Sequence, residues 1–179
     1  MDEIALHAGI TKRTLYKHFR SKIVLYMEMF DYYLDRYYAG VVEAAQSALP
    51  ADQVLLKIFD AIYMFTKQNQ KFMLLYWMLD TNEYEGEIPQ EVLDRVNRRN
   101  VTGIQAAIDA VIRAQNEGLI INFPAETLVH TISAINKGIF FHTHKERKFG
   151  IAVIDSDTIY QNAVRLLKEG LFIKKADSY

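Results

Sequence analysis

Hydrophobic positions recur along this chain with the period of an α-helix almost from end to end. Ile23, Met27, Phe30, Leu34, Tyr37, Val41 and Ala45 follow one another at steps of three and four, so they share one face of a single long helix. Ser21 is placed to cap its start, and "ALPAD" ends it at Pro50. The same reading predicts helices over about 52–68, about 71–82, and from about Pro89 to Asn116, the last stopped by Gly118. Pro124 suits the first turn of a further helix reaching about Lys145. A last helix runs to about Lys174, opened by Thr158 and Gln161 at capping-box spacing. The short apolar runs "GLIINF" and "FGIAVI" lie between better helices and read as connectors, and "GIAVIDSD" as a loop. There is no internal repeat, low-complexity tract or flexible linker, so the expected class is all-α.

The first twenty residues follow the same rule on a smaller scale. Asp2–Ala8 makes a short helix with Ile4, Ala5 and Ala8 on one side. Gly9 stops it, because glycine accepts the left-handed backbone that follows a helix end. Thr11 caps a second short helix, in which Leu15 and Phe19 share a face. Two short helices around a tight glycine turn form a helix-turn-helix, whose second helix enters the major groove of DNA. Such a helix must grip its own domain on one side and present polar and cationic groups on the other.

Charge agrees with that division. Over the whole chain the net charge is -1, but residues 1–22 hold five basic and two acidic residues. The remainder holds 16 basic and 20 acidic, so a basic head precedes a mildly acidic body. With 179 residues, half of them hydrophobic, the chain has material for a substantial core. Cysteine is absent, which excludes a disulfide frame, a thiolate metal site and a cysteine nucleophile, and fits a cytoplasmic setting. No run of 18 apolar residues and no secretory signal is present, so a soluble protein with no membrane partner is expected. Gly-rich phosphate loops, H-E-x-x-H and G-x-S-x-G are also missing, and no enzyme or cofactor is expected. Glu83, Glu85 and Glu87 read as a solvated acidic turn. His142 and His144, two apart on a helix, cannot chelate one metal together.

"IALHAGITKRTLYKHFRSKIVLY" resembles the DNA-binding signature of the tetracycline-repressor (TetR) family of transcriptional regulators. Ile4, Ala5, Ala8 and Gly9 match its turn, Thr11 its cap, Thr14, Leu15, Tyr16 and Phe19 its core, and Ser21 and Lys22 the start of the next helix. The resemblance implies a helix-turn-helix head and connecting helix over residues 1–42, and a ligand-binding and dimerisation body over 43–179. It implies a DNA-facing set of Thr11, Lys12, Arg13, Thr14, Tyr16, Lys17, His18 and Lys22, with Thr11, Tyr16 and Lys22 on phosphates and Lys12, Arg13, Lys17 and His18 toward base edges. It further implies a homodimer on a palindromic operator, acting as a repressor that a small-molecule effector releases. The alternative is a small-molecule-binding helical dimer with lost or impaired DNA binding. The family's signature follows a further helix, whereas this chain starts at Met1 immediately before the motif. Either that segment lies outside this chain or the head is shortened in nature.

In the body, "AIYMFTKQNQKFMLLYWML" concentrates aromatic and methionine side chains. These fit core packing, and they also fit the effector cavity the resemblance implies; candidate lining residues are Tyr63, Phe72, Tyr76, Trp77, Asn100 and Gln105, for a bulky apolar or aromatic ligand. The helix over 128–142 carries two apolar stripes, Leu128, Ile132, Ile135 and Ile139 beside Ala134, Gly138 and Phe141. The last helix carries Ile159, Ala163, Leu166 and Gly170 beside Val164, Leu167 and Leu171. Two apolar faces require two things to pack on, either one thick core or a core plus a second copy. With the head's apolar side uncovered, weak or absent operator binding is expected of this chain. A gel shift with and without an upstream helix checks it, equal binding by both counting against it.

Overall fold

The computed structural model describes residues 1–80, 90–149 and 154–173, with side chains left out for 77–80, Val92 and 143–149. Among the described residues there are eight helices and no strand. They are α1 (Asp2–His7), α2 (Lys12–His18), α3 (Lys22–Ala45), α4 (Ala51–Gln68), α5 (Gln70–Asp80), α6 (Gln90–Asn116), α7 (Ala125–Phe149) and α8 (Ser156–Leu171). The all-α expectation is met. Glu83, Glu85 and Glu87, and the side chains of Trp77 and His144, lie outside the described residues. His142 is exposed.

Two compact units divide the chain: residues 1–36 with 71–100, and residues 37–70 with 101–179. In the first, Met27, Phe30 and Leu34 of the α3 stripe are buried, together with Phe72 and Met73 of α5 and Val96 of α6. The Phe72 ring lies 4.8 Å from Tyr33 and 5.3 Å from Phe30, and Tyr76 stacks on Phe30 at 5.4 Å. A ladder of ion pairs ties α3 to α6: Glu28 to Arg95 at 3.0 Å, then Arg99 to Asp31 at 2.8 Å and also to Asp35. The partners rise in number together, so the two helices run in the same direction here. Asp31 is the least exposed of these acids, at 13%.

The second unit is centred on Val54, Phe59, Val111, Ala114 and Ile120. α4 packs on α7, and α7 on α8. Tyr63 and Tyr160 stack at 3.9 Å, with Phe59 5.2 Å from Tyr160. Each tyrosine hydroxyl donates to a carboxylate, Tyr63 to Asp157 at 2.7 Å and Tyr160 to Asp60 at 3.0 Å. Lys67 reaches the same Asp157 at 2.7 Å. Burial opposes the charged phenolate, so the Tyr63 hydroxyl is pushed up to about 12 and that of Tyr160 is raised as well.

Helix boundaries differ from the sequence reading at the end of α7, which runs past Lys145 to Phe149, and at both ends of α8. Asp155, and not Thr158, caps α8: its carboxylate accepts from the Thr158 amide at 2.9 Å and from the Thr158 hydroxyl at 2.6 Å. Thr158 therefore sits in the first turn as a donor. α8 ends at Leu171, short of Lys174, because Phe172 turns extended and pairs with Ile120 of the "GLIINF" connector. The Ile121 amide donates to Leu171 at 2.9 Å and the Ile173 amide to Leu119 at 3.0 Å.

Two outcomes are expected. Arg99→Ala leaves Asp31 with an uncompensated, largely buried charge and lowers stability by about 2 kcal/mol, between the values for surface and buried pairs; urea denaturation reads it. Because the fold raises the Tyr63 pKa, the stabilisation from that neutral phenol is intact below the ordinary value of 10.0 and is lost as pH rises toward about 12. Tyr63→Phe, melted across that range, declines less steeply than the parent.

Candidate nucleic-acid interface and body cavity

The turn between α1 and α2 is built by Gly9, whose φ of 66° lies in the left-handed region. The Ile10 amide reaches back to the Ala5 carbonyl at 3.0 Å and the Gly9 amide to Leu6 at 3.2 Å, which closes the helix end in a Schellman arrangement. Thr11 follows in extended conformation, and its hydroxyl oxygen accepts from the Thr14 amide at 3.1 Å. The two threonine hydroxyls also share a hydrogen bond at 2.8 Å. α2 ends where Phe19 becomes extended, and the Ser21 hydroxyl then accepts from the Val24 amide at 3.2 Å to open α3. Thr11 and Ser21 thus hold the capping positions read from the sequence.

α2 is one-sided. Leu15 is 4% exposed and Phe19 half-buried, with Ala5 of α1 buried in the same unit. Thr11, Lys12, Arg13, Thr14, Tyr16, Lys17 and His18 are all exposed, as is Lys22 in the first turn of α3. The sequence reading missed a tether: Lys12 pairs with Asp2 of α1 at 2.8 Å. Their hydrogen bond lowers the Asp2 carboxyl below its ordinary range and raises the Lys12 ammonium above its own. A ten-residue separation between a helix start and its neighbour gives no periodic signal by which the pair could have been found.

In the second unit, α3, α4, α6 and α7 form a cavity of about 70 Å³, open on one side. Its walls are mainly aliphatic, with Val41, Leu55, Ile58, Ile62, Ile104 and Val111 among them, and no charged side chain lines it among the described residues. Its polar groups are Tyr37 and Tyr38 of α3 and His130 and Ser133 of α7. Of the five candidate ligand residues with described side chains, none lines this cavity. Phe72 and Tyr76 are packed on Phe30 in the other unit. Asn100 is half-buried there, and exposed Gln105 donates to Asp109 at 2.8 Å. Tyr63 borders a smaller, more polar space beside Thr66, Lys67 and Asn136. Asn136 is 3% exposed, and neither its amide nitrogen nor its oxygen has a partner.

The second apolar stripe of α7 is at the surface, with Ala134, Gly138 and Phe141 exposed, while Leu128, Ile132 and Ile139 are buried. On α8, Leu166 is 66% exposed and Gly170 is exposed.

The family model "Bacterial regulatory proteins, tetR family" matches residues 1–29, which are α1, α2 and the start of α3. The tetR-family match is thus confined to the N-terminal helix-turn-helix and the start of the helix that follows it. It is 32% identical over 87 residues to the HTH-type transcriptional activator FasR of Mycolicibacterium smegmatis, a match covering 49% of this chain and 38% of that protein. Similar solved structures extend over nearly the whole chain. A putative fatty acid metabolism regulator of Clostridium perfringens superposes with a TM-score of 0.73 at 17% identity, over 97% of this chain and 89% of its own. The TetR family transcriptional regulator PfmR of Thermus thermophilus gives 0.67 at 14% identity, over 94% and 87%. At such identities the likeness is one of fold. No described helix is long and apolar enough to cross a membrane.

Because so few apolar groups hold the head together, Leu15→Ala should cost about 2–5 kcal/mol there, and Thr11→Ala about 1 kcal/mol through the lost cap. Hydrogen exchange of the α2 amides is the readout: both variants lose protection in α1 and α2.

Proposed function

We propose that this chain is a DNA-binding transcriptional regulator of the TetR family that acts as a homodimer on a palindromic operator and responds to a small, largely apolar effector. The observation that carries the reading is the sidedness of α2, with Leu15 buried and Lys12, Arg13, Tyr16, Lys17 and His18 exposed on a capped helix. Lys12, Arg13, Lys17 and His18 serve the groove floor. Thr11, Thr14, Tyr16 and Lys22 serve the phosphates flanking it, with Lys22 at a helix start where backbone amides already favour an anion. Lys12 exchanges Asp2 for DNA, so part of its attraction to the duplex is spent on breaking that pair.

Residues 1–42 are the DNA-facing head and connecting helix in this reading, and 43–179 the body, with Tyr37, Tyr38 and Val41 of the connecting helix also lining the cavity. The exposed apolar stripe of α7 and Leu166 of α8 are the faces a second copy covers. An effector in the cavity releases the operator by binding more tightly to the body shape that spaces the two heads wrongly. That makes the protein a repressor. The opposite sign, activation, is the second reading, favoured by the activator among its relatives.

Selection from a random duplex pool tests the proposal: a two-fold-symmetric sequence is enriched, its half-sites centred about one helical turn (34–36 Å) or a multiple of it apart. Arg13→Ala weakens discrimination at one position of each half-site by about 1–3 kcal/mol. Lys22→Ala weakens all sequences alike and reduces the slope of log affinity against log salt by about 1 for each head. Absence of any enriched sequence, with binding indifferent to salt, would overturn it.

A further inference from the structure

The cavity wall contains a glycine that a helix interior does not favour. Gly103 is buried in the middle of α6, where any other residue would hold the helix better. A Cβ built on it overlaps the edge of the Tyr38 ring from α3. The tyrosine ring therefore occupies the place where a side chain at 103 would be, and both residues line the cavity. Any larger residue at 103 drives the ring elsewhere, and the open volume beside it is the room it can take. Apart from Tyr37, His130 and Ser133, the rest of the wall is aliphatic, without a methionine, aspartate, glutamate, lysine or arginine among the described residues. An ion placed deep in such a space loses its water and gains no partner. Its hydrogen-bonding groups on α7 are His130, exposed, and Ser133, half-buried; three apart, they lie one above the other on one helix face. The hydrogen-bonding groups of the wall are therefore few: His130 and Ser133 together on α7, and the hydroxyls of Tyr37 and Tyr38 on α3.

We propose that the effector is a slender aliphatic molecule with one uncharged hydrogen-bonding head. The head lies at His130 and Ser133, the tail runs among Val41, Ile58, Ile62 and Ile104, and the packing of Tyr38 on Gly103 sets the room available to it. This rests on the reading of the cavity as an effector site and narrows it to one chemistry. It replaces the aromatic ligand suggested by the tyrosine-, tryptophan- and methionine-rich segment, because that segment's described rings pack on rings of other helices and none of them lines this space.

The test uses the full chain and four probes: decan-1-ol, decane, decylamine and 2-naphthol, followed by thermal shift and by titration calorimetry. A saturable rise in melting temperature with decan-1-ol is expected, with decane weaker and decylamine and 2-naphthol without effect. Ser133→Ala weakens decan-1-ol about five-fold, as loss of one hydrogen bond does, and leaves decane unchanged. Gly103→Ala weakens both at least ten-fold, and Tyr38→Ala combined with Gly103→Ala restores them, which a merely misfolded variant would not do. Binding of decylamine or 2-naphthol in place of the alcohol overturns this chemistry while leaving an effector site standing. Binding by none of the four, or a Gly103→Ala chain that binds as the parent does, overturns it too. Alcohol binding that obeys every variant but never releases selected operator DNA upholds the chemistry and refutes the effector role.

Discussion

Burial of a single leucine gives the N-terminal head its working surface. α2 has seven residues, well below the roughly 12–15 at which an isolated helix becomes marginally stable in water. Propensity cannot hold it, and its cationic side chains repel one another. What holds it is Leu15 in the apolar interior, a left-handed glycine before it and a threonine cap at its start. Those same three features decide orientation. With Leu15 facing in, the geometry of a 3.6-residue period turns Lys12, Arg13, Tyr16 and Lys17 outward together. The basic face is thus a consequence of the apolar grip on the opposite side.

Elsewhere the structure manages polarity within apolar surroundings by pairing. Tyr63 and Tyr160 stack in the core and direct their hydroxyls to Asp157 and Asp60, so large ring areas are buried without stranding a donor. Asp31 is nearly buried and answered by Arg99. Asn136 departs from the pattern, its amide unpartnered at the edge of a polar space. The large cavity departs in another way. Protein interiors are close-packed, so a space walled by valine, leucine and isoleucine is packing energy forgone, and Tyr38 and Gly103 meet in its wall.

Much of the fold was legible because helical signals are local. The α3 stripe read from the sequence is the stripe that is buried or half-buried, and Gly9, Thr11, Ser21 and Gly118 mark real boundaries. The cap of α8 was misplaced by one turn, since Thr158 and Gln161 satisfy the same spacing rule that Asp155 and Thr158 satisfy in fact. The aromatic candidates were harder. Phe72 and Tyr76 carry the composition of a ligand wall, and rings stacked on other rings have that same composition. Gly103 drew no attention, because a glycine inside a helical pattern looks like a small loss of propensity until its neighbour on another helix is known.

The sequence by itself determined the helical class, the order and rough ends of the helices, and the two faces of α2, all of which follow from steering side chains by steps of three and four along one backbone. Only the tertiary structure decided where empty space lies and which residues share it. Tyr38 meets Gly103, Arg99 meets Asp31, and Tyr63 meets Asp157 across long stretches of chain. Enclosure depends on which helix faces are brought together, and a local period carries no record of that choice.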